Sequence, residues 1–304
     1  MKKSLLAFII CCTVLLCLPG KSVAGYITDP SGSFAVGIGP NGELFDSVNG
    51  IGFRRIADGY DPLAPGTPRD SWGVTANGSS AWADQAYYGS SGVSSTVTLG
   101  ANSATVTTTT LIGLKVNQVY TFAPSGNILE ITTTVTNIGD STATGVGFQR
   151  DVDWDVYPTE FNENSFGNAI TGNVVGSSYY GFESPDPLAS YGSSCAAGCN
   201  STGDLGGGIK IALANLAPGA SDSFIFLYGI SQSGQNVNGL ITEAQGLGAY
   251  YWIATQSSEN GAYPNLGANS ALIGISDIPE PASFGVMAMA LAGLLAYTRR
   301  RKNK

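Results

Sequence analysis

Apolar and polar residues alternate with period two along much of the chain, the pattern of strands that bury one face. Val93, Ser95, Val97 and Leu99 share one face of the first clear run. Leu129, Ile131, Thr133 and Val135 do the same across Ile128 to Thr136, which ends in the turn signal Asn137-Ile-Gly139-Asp140. Val116 to Phe122 predicts the strand before it, with Pro124-Ser-Gly126-Asn127 as the hairpin turn. Ser223 to Gly229 is apolar on both faces, which predicts a central, doubly covered strand. Leu216-Ala-Pro218-Gly219 precedes it as a turn, and Asn265 to Ser276 predicts a last strand. Gln235 to Gly248 is the nearest approach to an amphipathic helix. Gly59 to Asp70, with three prolines, and Asp186 to Gly208, rich in Ser and Gly, read as loops. The chain shows no internal repeat and no Pro/Thr or Gly/Ser linker. The expected fold is all-β: a single large antiparallel β-sandwich over residues 25–277.

The two ends break this pattern. Lys2 and Lys3 precede an apolar run from Leu5 to Leu18, and Ser22-Val23-Ala24 has the small-x-small form of a signal-peptidase site. A cleavable signal peptide is expected over 1–24, cut between Ala24 and Gly25. Cys11, Cys12 and Cys17 leave with it. At the other end, Pro279-Glu280-Pro281 is followed by an uncharged run, Ala282 to Tyr297, and then by Arg299, Arg300, Arg301, Lys302 and Lys304. Sixteen residues of helix span about 24 Å, short of the roughly 30 Å hydrocarbon core. Flanking arginines snorkel across part of that deficit. The basic cluster keeps the C-terminus cytoplasmic, with everything before Pro281 outside. The expectation is therefore a transmembrane helix over 282–297 and a basic tail over 299–304.

This three-part order over 278–304 resembles the PEP-CTERM sorting signal. The resemblance implies recognition by an exosortase, a membrane-embedded transpeptidase-like enzyme that cuts near the Pro-Glu-Pro motif. It implies insertion in the inner membrane followed by release to the cell surface or the extracellular matrix. The Sec translocon, signal peptidase and the exosortase are the implied partners in export.

Charge narrows the remaining partners. Between residues 25 and 277 there are six basic and 21 acidic residues, a net charge near −15. Such a surface repels nucleic acid and anionic lipid, so no nucleic-acid partner is expected. The chain contains no histidine, which removes Ser-His-Asp and Cys-His catalysis and leaves too few ligands for an ordinary zinc site. Cys195 and Cys199 are expected to form a disulfide outside the cytoplasm.

The strand-rich 25–277 region, with Asn41-Gly42-Glu43-Leu44, Ser71-Trp72-Gly73-Val74 and the run from Leu129 to Val156, resembles the supersandwich of galactose-mutarotase-like domains. The mutarotases use a catalytic histidine, so the resemblance implies a fold and not their activity.

The most distinctive internal stretch is Val146 to Pro158. Read as one strand, it puts Phe148, Arg150, Val152, Trp154 and Val156 on one face and Gln149, Asp151, Asp153 and Asp155 on the other, with carboxylates roughly 7 Å apart. A solvated or arginine-paired acidic face is the first expectation, with Arg54-Arg55 as the counter-charge. Calcium held by Asp151, Asp153 and Asp155 is the second, helped by Glu160 or Glu163. An EF-hand is excluded because Val156 and Asn162 stand where its glycine and glutamate belong. Glycoside cleavage by Asp153, Asp155, Glu160 or Glu163 is the third. Neighbouring carboxylates on one strand meet a sugar from one side, whereas glycosidase carboxylates flank the bond. Tyr87-Tyr88, Tyr179-Tyr180 and Tyr250-Tyr251-Trp252 are candidate sugar platforms, at most one ring of each pair per strand face. The functional expectation is a non-enzymatic surface or matrix protein with a structural, adhesive or exopolysaccharide-associated role and no obligatory cofactor. A polysaccharide-cleaving enzyme and a calcium-stabilised carbohydrate-binding module are the alternatives.

Overall fold

Where apolar residues alternate, the chain pairs into antiparallel sheets. A computed structural model describes residues 25–278, apart from 262, 264, 267 and 268. Ala24, the Pro279-Glu280-Pro281 motif, the 282–297 run and the basic tail lie outside the described residues, and so does the signal segment. A small sheet has the order β1 (Gly25–Thr28), β2 (Phe34–Ile38), β3 (Phe53–Arg55). A five-stranded sheet has the order β12 (Val174–Ser178), β14 (Gly206–Ala212), β10 (Gly147–Asp153), β4 (Asp70–Ala76), β5 (Ser79–Ala83). A nine-stranded sheet runs β13 (Ala197–Gly203), β11 (Glu163–Ala169), β16 (Ala249–Ser257), β17 (Ser270–Asp277), β15 (Ser221–Ile230), β9 (Ile128–Asn137), β8 (Leu114–Phe122), β7 (Ser103–Thr110), β6 (Val93–Leu99).

The five- and nine-stranded sheets pack face to face over one apolar core. Trp72 stacks on Phe148 at 5.7 Å within the smaller sheet, and Phe148 meets Phe224 of the larger at 5.2 Å. In β9, Leu129, Ile131, Thr133 and Val135 are buried and the residues between Glu130 and Thr136 on the other face are half-buried, as period-two alternation requires. β15 lies between β9 and β17, and from Phe226 to Ile230 it is buried throughout. A helix covers its second face. This is α1 (Val237–Gly246), whose Val237, Leu240, Ile241 and Ala244 form one stripe at helical spacing and pack with Leu227, Ile128 and Leu272. Asn236 caps it, accepting a hydrogen bond from the Gly239 amide at 3.1 Å.

Four segment boundaries differ from the sequence reading. Asp186 to Gly208, expected as loop, holds β13 and the start of β14. β13 is an edge strand of small and polar residues, so it carries no apolar alternation to reveal it. Asn265 to Ser276 becomes strand only from Ser270. The strand expected across Val146 to Pro158 stops at Asp153. Asp70, expected in a loop, opens β4, and the proline-rich loop before it packs inward with Tyr60 and Leu63 buried. The Asp61 carboxylate pins that loop by accepting the amides of Gly52 and Phe53, each at 2.9 Å.

Candidate functional site: an acidic cluster beside an exposed aromatic patch

The acidic run is buried, not solvated. Asp151, Asp153 and Asp155 are 0, 3 and 2% exposed. The first expectation for this face is thereby corrected: β10 is the middle strand of its sheet, between β14 and β4, and both its faces are covered. Nor does Arg54-Arg55 supply the counter-charge. Arg54 pairs with Asp61 at 3.3 Å and Arg55 with Asp58 at 2.6 Å, both within their own loop.

The three aspartates separate because the strand ends. Asp151 receives a hydrogen bond from Gln149 Nε2 at 2.5 Å. Asp153 is the last residue of β10, opposite Gly206 of β14. After it the backbone leaves the ladder: the Trp154 amide donates to Leu205 at 3.3 Å and the Asp155 amide to Pro62 at 2.7 Å. This turn brings carboxylate oxygens of Asp153, Asp155 and Asp204 within 4.8 Å of one another. Asp151 is not in that group, and Asp204, an exposed residue between β13 and β14, is. Nothing in the sequence spacing links Asp204 to the others; the pairing of β10 with β14 does. Glu163, fully buried, braces the arrangement by accepting the amide of Val156 at 3.2 Å and that of Leu205 at 3.4 Å, each next to a cluster member. Glu160 is part of the wall of an adjoining cavity of about 600 Å³, and so is Asp155.

Burial and mutual repulsion raise these acids. Burial, then the charges of Asp155, Asp204 and Glu163, pushes Asp153 up to about 9. Burial and Asp204 push Asp155 up to about 7, and burial with Asp155 pushes Glu163 up to about 8. Burial lifts Asp151 to about 7 against the opposing charge of Arg69. Carboxyls of an unfolded chain titrate near 4. The folded chain therefore binds more protons than the unfolded chain between about pH 4 and pH 9, so its stability falls as pH rises through that window. In chelator, the thermal midpoint is expected to drop steadily from pH 5 to pH 9. A midpoint that climbs over that range contradicts the burial of these groups as acids.

A second feature adjoins the cluster. Gly181 rests on Asp153 so closely that a Cβ there would lie 2.5 Å from Asp153 Oδ1. The residues on either side of it, Tyr180 and Phe182, join Tyr87 and Tyr88 in an aromatic patch. Tyr87 meets Tyr88 at 4.9 Å and Phe182 at 5.3 Å, and Tyr180 meets Phe182 at 5.9 Å. Tyr87, Tyr88 and Tyr180 are 61, 48 and 40% exposed. The limit of one ring per pair fails for Tyr87-Tyr88, because they sit in a turn where strand alternation does not apply. Tyr251 is buried, and Tyr179, Tyr250 and Trp252 are half-buried, packed against the two cores.

Arg69 holds this patch from beneath. It is fully buried, pairs with Asp84 at 2.8 Å, and donates to the carbonyls of Gly181 and Glu183, the latter at 2.6 Å. Its guanidinium lies 5.5 Å from the rings of both Tyr88 and Phe182. Asp84 in turn accepts the Tyr87 amide at 3.0 Å. Sequence reasoning missed Arg69, Phe182 and Asp204 because their partners are 15 to 114 residues away or joined only through strand pairing. Cys195 and Cys199 form a disulfide with Cα atoms 4.9 Å apart, which joins the residues just before β13 to the strand itself.

Comparison with solved structures finds a galactose mutarotase-like protein from Lactobacillus casei ATCC 334, at 12% identity and TM-score 0.36, covering 84% of this chain and 89% of that one. A galactose mutarotase related enzyme from Lactobacillus acidophilus matches at 10% identity and TM-score 0.36, over 83% and 85% of the two chains. Scores at this level carry no inference about activity. Comparison with curated proteins gives no match. Among the described residues no helix is long and apolar enough to cross a membrane. Residues 277–302 match a profile of the PEP-CTERM protein-sorting motif, the same stretch that combines Pro279-Glu280-Pro281 with an apolar run and a basic tail, so the chain carries the sorting motif of an exported exosortase substrate.

Proposed function

We propose that this protein is a non-enzymatic component of the cell surface or extracellular matrix that binds a neutral exopolysaccharide through Tyr87, Tyr88, Tyr180 and Phe182. The observation that carries the reading is the exposed patch itself. Four rings meet edge-on or tilted, a buried arginine lies beneath two of them, and three stay open to solvent. Aromatic faces take the C–H faces of sugar rings, and tyrosine hydroxyls add hydrogen bonds at the wet edge. The net charge near −15 between residues 25 and 277 disfavours a polyanion, which leaves a neutral polymer as the fitting ligand. The sorting motif supports the reading, since it is that of an exported chain.

A second reading, glycoside cleavage, draws support from the raised carboxyls of Asp153, Asp155 and Glu163 beside a cavity, since perturbed acids cluster at catalytic sites. One experiment separates the two. Full-length protein in mild detergent is run through native gels containing the producing cell's own exopolysaccharide, and the same mixture is assayed for new reducing ends. Retardation without release is expected, and Tyr88→Ala weakens binding about tenfold, a loss of ~1.4 kcal/mol. Reducing ends released in proportion to protein establish the enzyme instead. Equal mobility with and without polysaccharide removes the binding function.

A further inference from the structure

We propose that Asp153, Asp155 and Asp204 form a binding site for one divalent cation, with calcium as the fitting ion. The inference goes beyond the polysaccharide reading and rests on different residues. Three carboxylates contribute oxygens that lie within 4.8 Å of one another. Ligands on a single calcium, bonded at 2.3–2.6 Å, lie no more than about 5.2 Å apart, so this cluster is tight enough to share one ion.

Proximity of acids is not by itself a site. The independent observation is that Asp153 and Asp155, both more than nine-tenths buried, each keep an oxygen, Oδ1, with no hydrogen-bond partner. Buried polar atoms are nearly always satisfied, and an unpaired buried carboxylate oxygen is costly. The cation whose charge reaches Asp153 is Arg69, and its guanidinium is already spent on Asp84 and on the carbonyls of Gly181 and Glu183. A bound divalent ion favours the ionised form of all three acids and gives buried carboxylate oxygens a partner that the protein itself does not supply.

The surroundings fit a built site. Glu163 fixes the backbone on both sides by holding the amides of Val156 and Leu205, so it positions Asp155 and Asp204 without being one of the three ligands. Asp204 is exposed and Asp155 also faces the 600 Å³ cavity, which gives an ion a path from solvent. Carboxylates from a strand end, the turn after it and an inter-strand turn form an oxygen-only set, which suits a hard cation such as calcium rather than the metals that seek thiolate or imidazole.

The test uses full-length protein in mild detergent. Terbium is added first, since it occupies calcium carboxylate sites and is sensitised by nearby Trp and Tyr. Luminescence saturating at one ion per chain and displaced by calcium is expected. Calcium at 1 mM is expected to raise the thermal midpoint by about 5 °C or more over chelator, as a ligand bound only by the native state must. Asp204→Asn, at an exposed position where folding is unaffected, weakens calcium at least tenfold. Asp155→Asn abolishes the calcium-dependent shift while raising the midpoint in chelator, because it removes repulsion. Asp151→Asn keeps the shift. Identical midpoints in calcium and chelator, with no displaceable terbium signal, overturn the site and leave the cluster as protonated acids. A shift that survives Asp204→Asn and Asp155→Asn together places the ion elsewhere and overturns it equally. A larger response to magnesium than to calcium refutes the choice of ion.

Discussion

Replacing Arg150 with methionine is expected to destabilise the protein by about 3–5 kcal/mol, the cost of leaving a buried charge without its partner. Arg150 lies fully buried between the two large sheets. It forms an ion pair with Asp70 of β4, and also donates to Gln118 at 2.7 Å, the Tyr228 hydroxyl at 3.1 Å and the Gly42 carbonyl at 3.1 Å. These groups come from four separate parts of the chain, so the guanidinium ties β10 to β4, β8, β15 and the Gly42 turn. Asp70 accepts the Tyr228 hydroxyl at 2.7 Å and the Leu44 amide at 2.8 Å, and burial works to raise its carboxyl while Arg150 opposes this. Without Arg150 the acid rises further, and the penalty grows with pH because the folded state then holds a proton that the unfolded state releases. Arg150→Met combined with Asp70→Asn is expected to recover a large part of the loss, since the amide needs no counter-charge. Thermal melts of the single and double variants read this directly. A single-variant midpoint within 2 °C of wild type, on the order of 0.5–1 kcal/mol, would show that the pair is not structurally important.

Arg69→Met is expected to produce a loss of similar size, about 3–5 kcal/mol, and with it the loss of polysaccharide retention. The two effects share a cause. Arg69 neutralises Asp84 and fastens the 181–183 segment, so removing it frees one half of the patch (Tyr180 and Phe182) from the other (Tyr87 and Tyr88). Arg69→Lys is not expected to rescue either property, because a point-like ammonium cannot reproduce a planar fork that meets a carboxylate and two carbonyls at once. Retention is measured at a temperature where far-ultraviolet circular dichroism shows the variant still folded. Full retention there would mean that the rings hold their arrangement without Arg69. Terbium binding in the same sample separates the two features, since Arg69 is not a member of the acidic cluster.

The composition of the two clusters explains how far a linear reading reaches. Alternation in 93–99, 116–122 and 128–136 appears as β6, β8 and β9, because a sheet with one covered face selects residues two apart. The stripe Val237, Leu240, Ile241 and Ala244 was legible as the nearest thing to a helix, and its ten-residue length kept the pattern short. β13 was illegible, since an edge strand of Ala, Gly, Cys, Asn, Ser and Thr makes no apolar demand.

What the sequence by itself determined is the chain's address and its class. The 277–302 motif, the all-β patterning, the absence of histidine and the strong negative charge between residues 25 and 277 each depend on residue type and local order alone. The tertiary structure decided everything that depends on pairing across the chain. It buried an acidic run that local spacing left open to solvent, because β10 became a middle strand. It divided that run, leaving Asp151 with Gln149 and sending Asp153 and Asp155 to Asp204, because the ladder stops at Asp153 and β14 returns beside it. It put Tyr180 and Phe182 against Tyr87 and Tyr88 through one arginine. Residues about 50 to 95 positions apart meet only when the intervening strands have folded, and no local pattern records such a meeting.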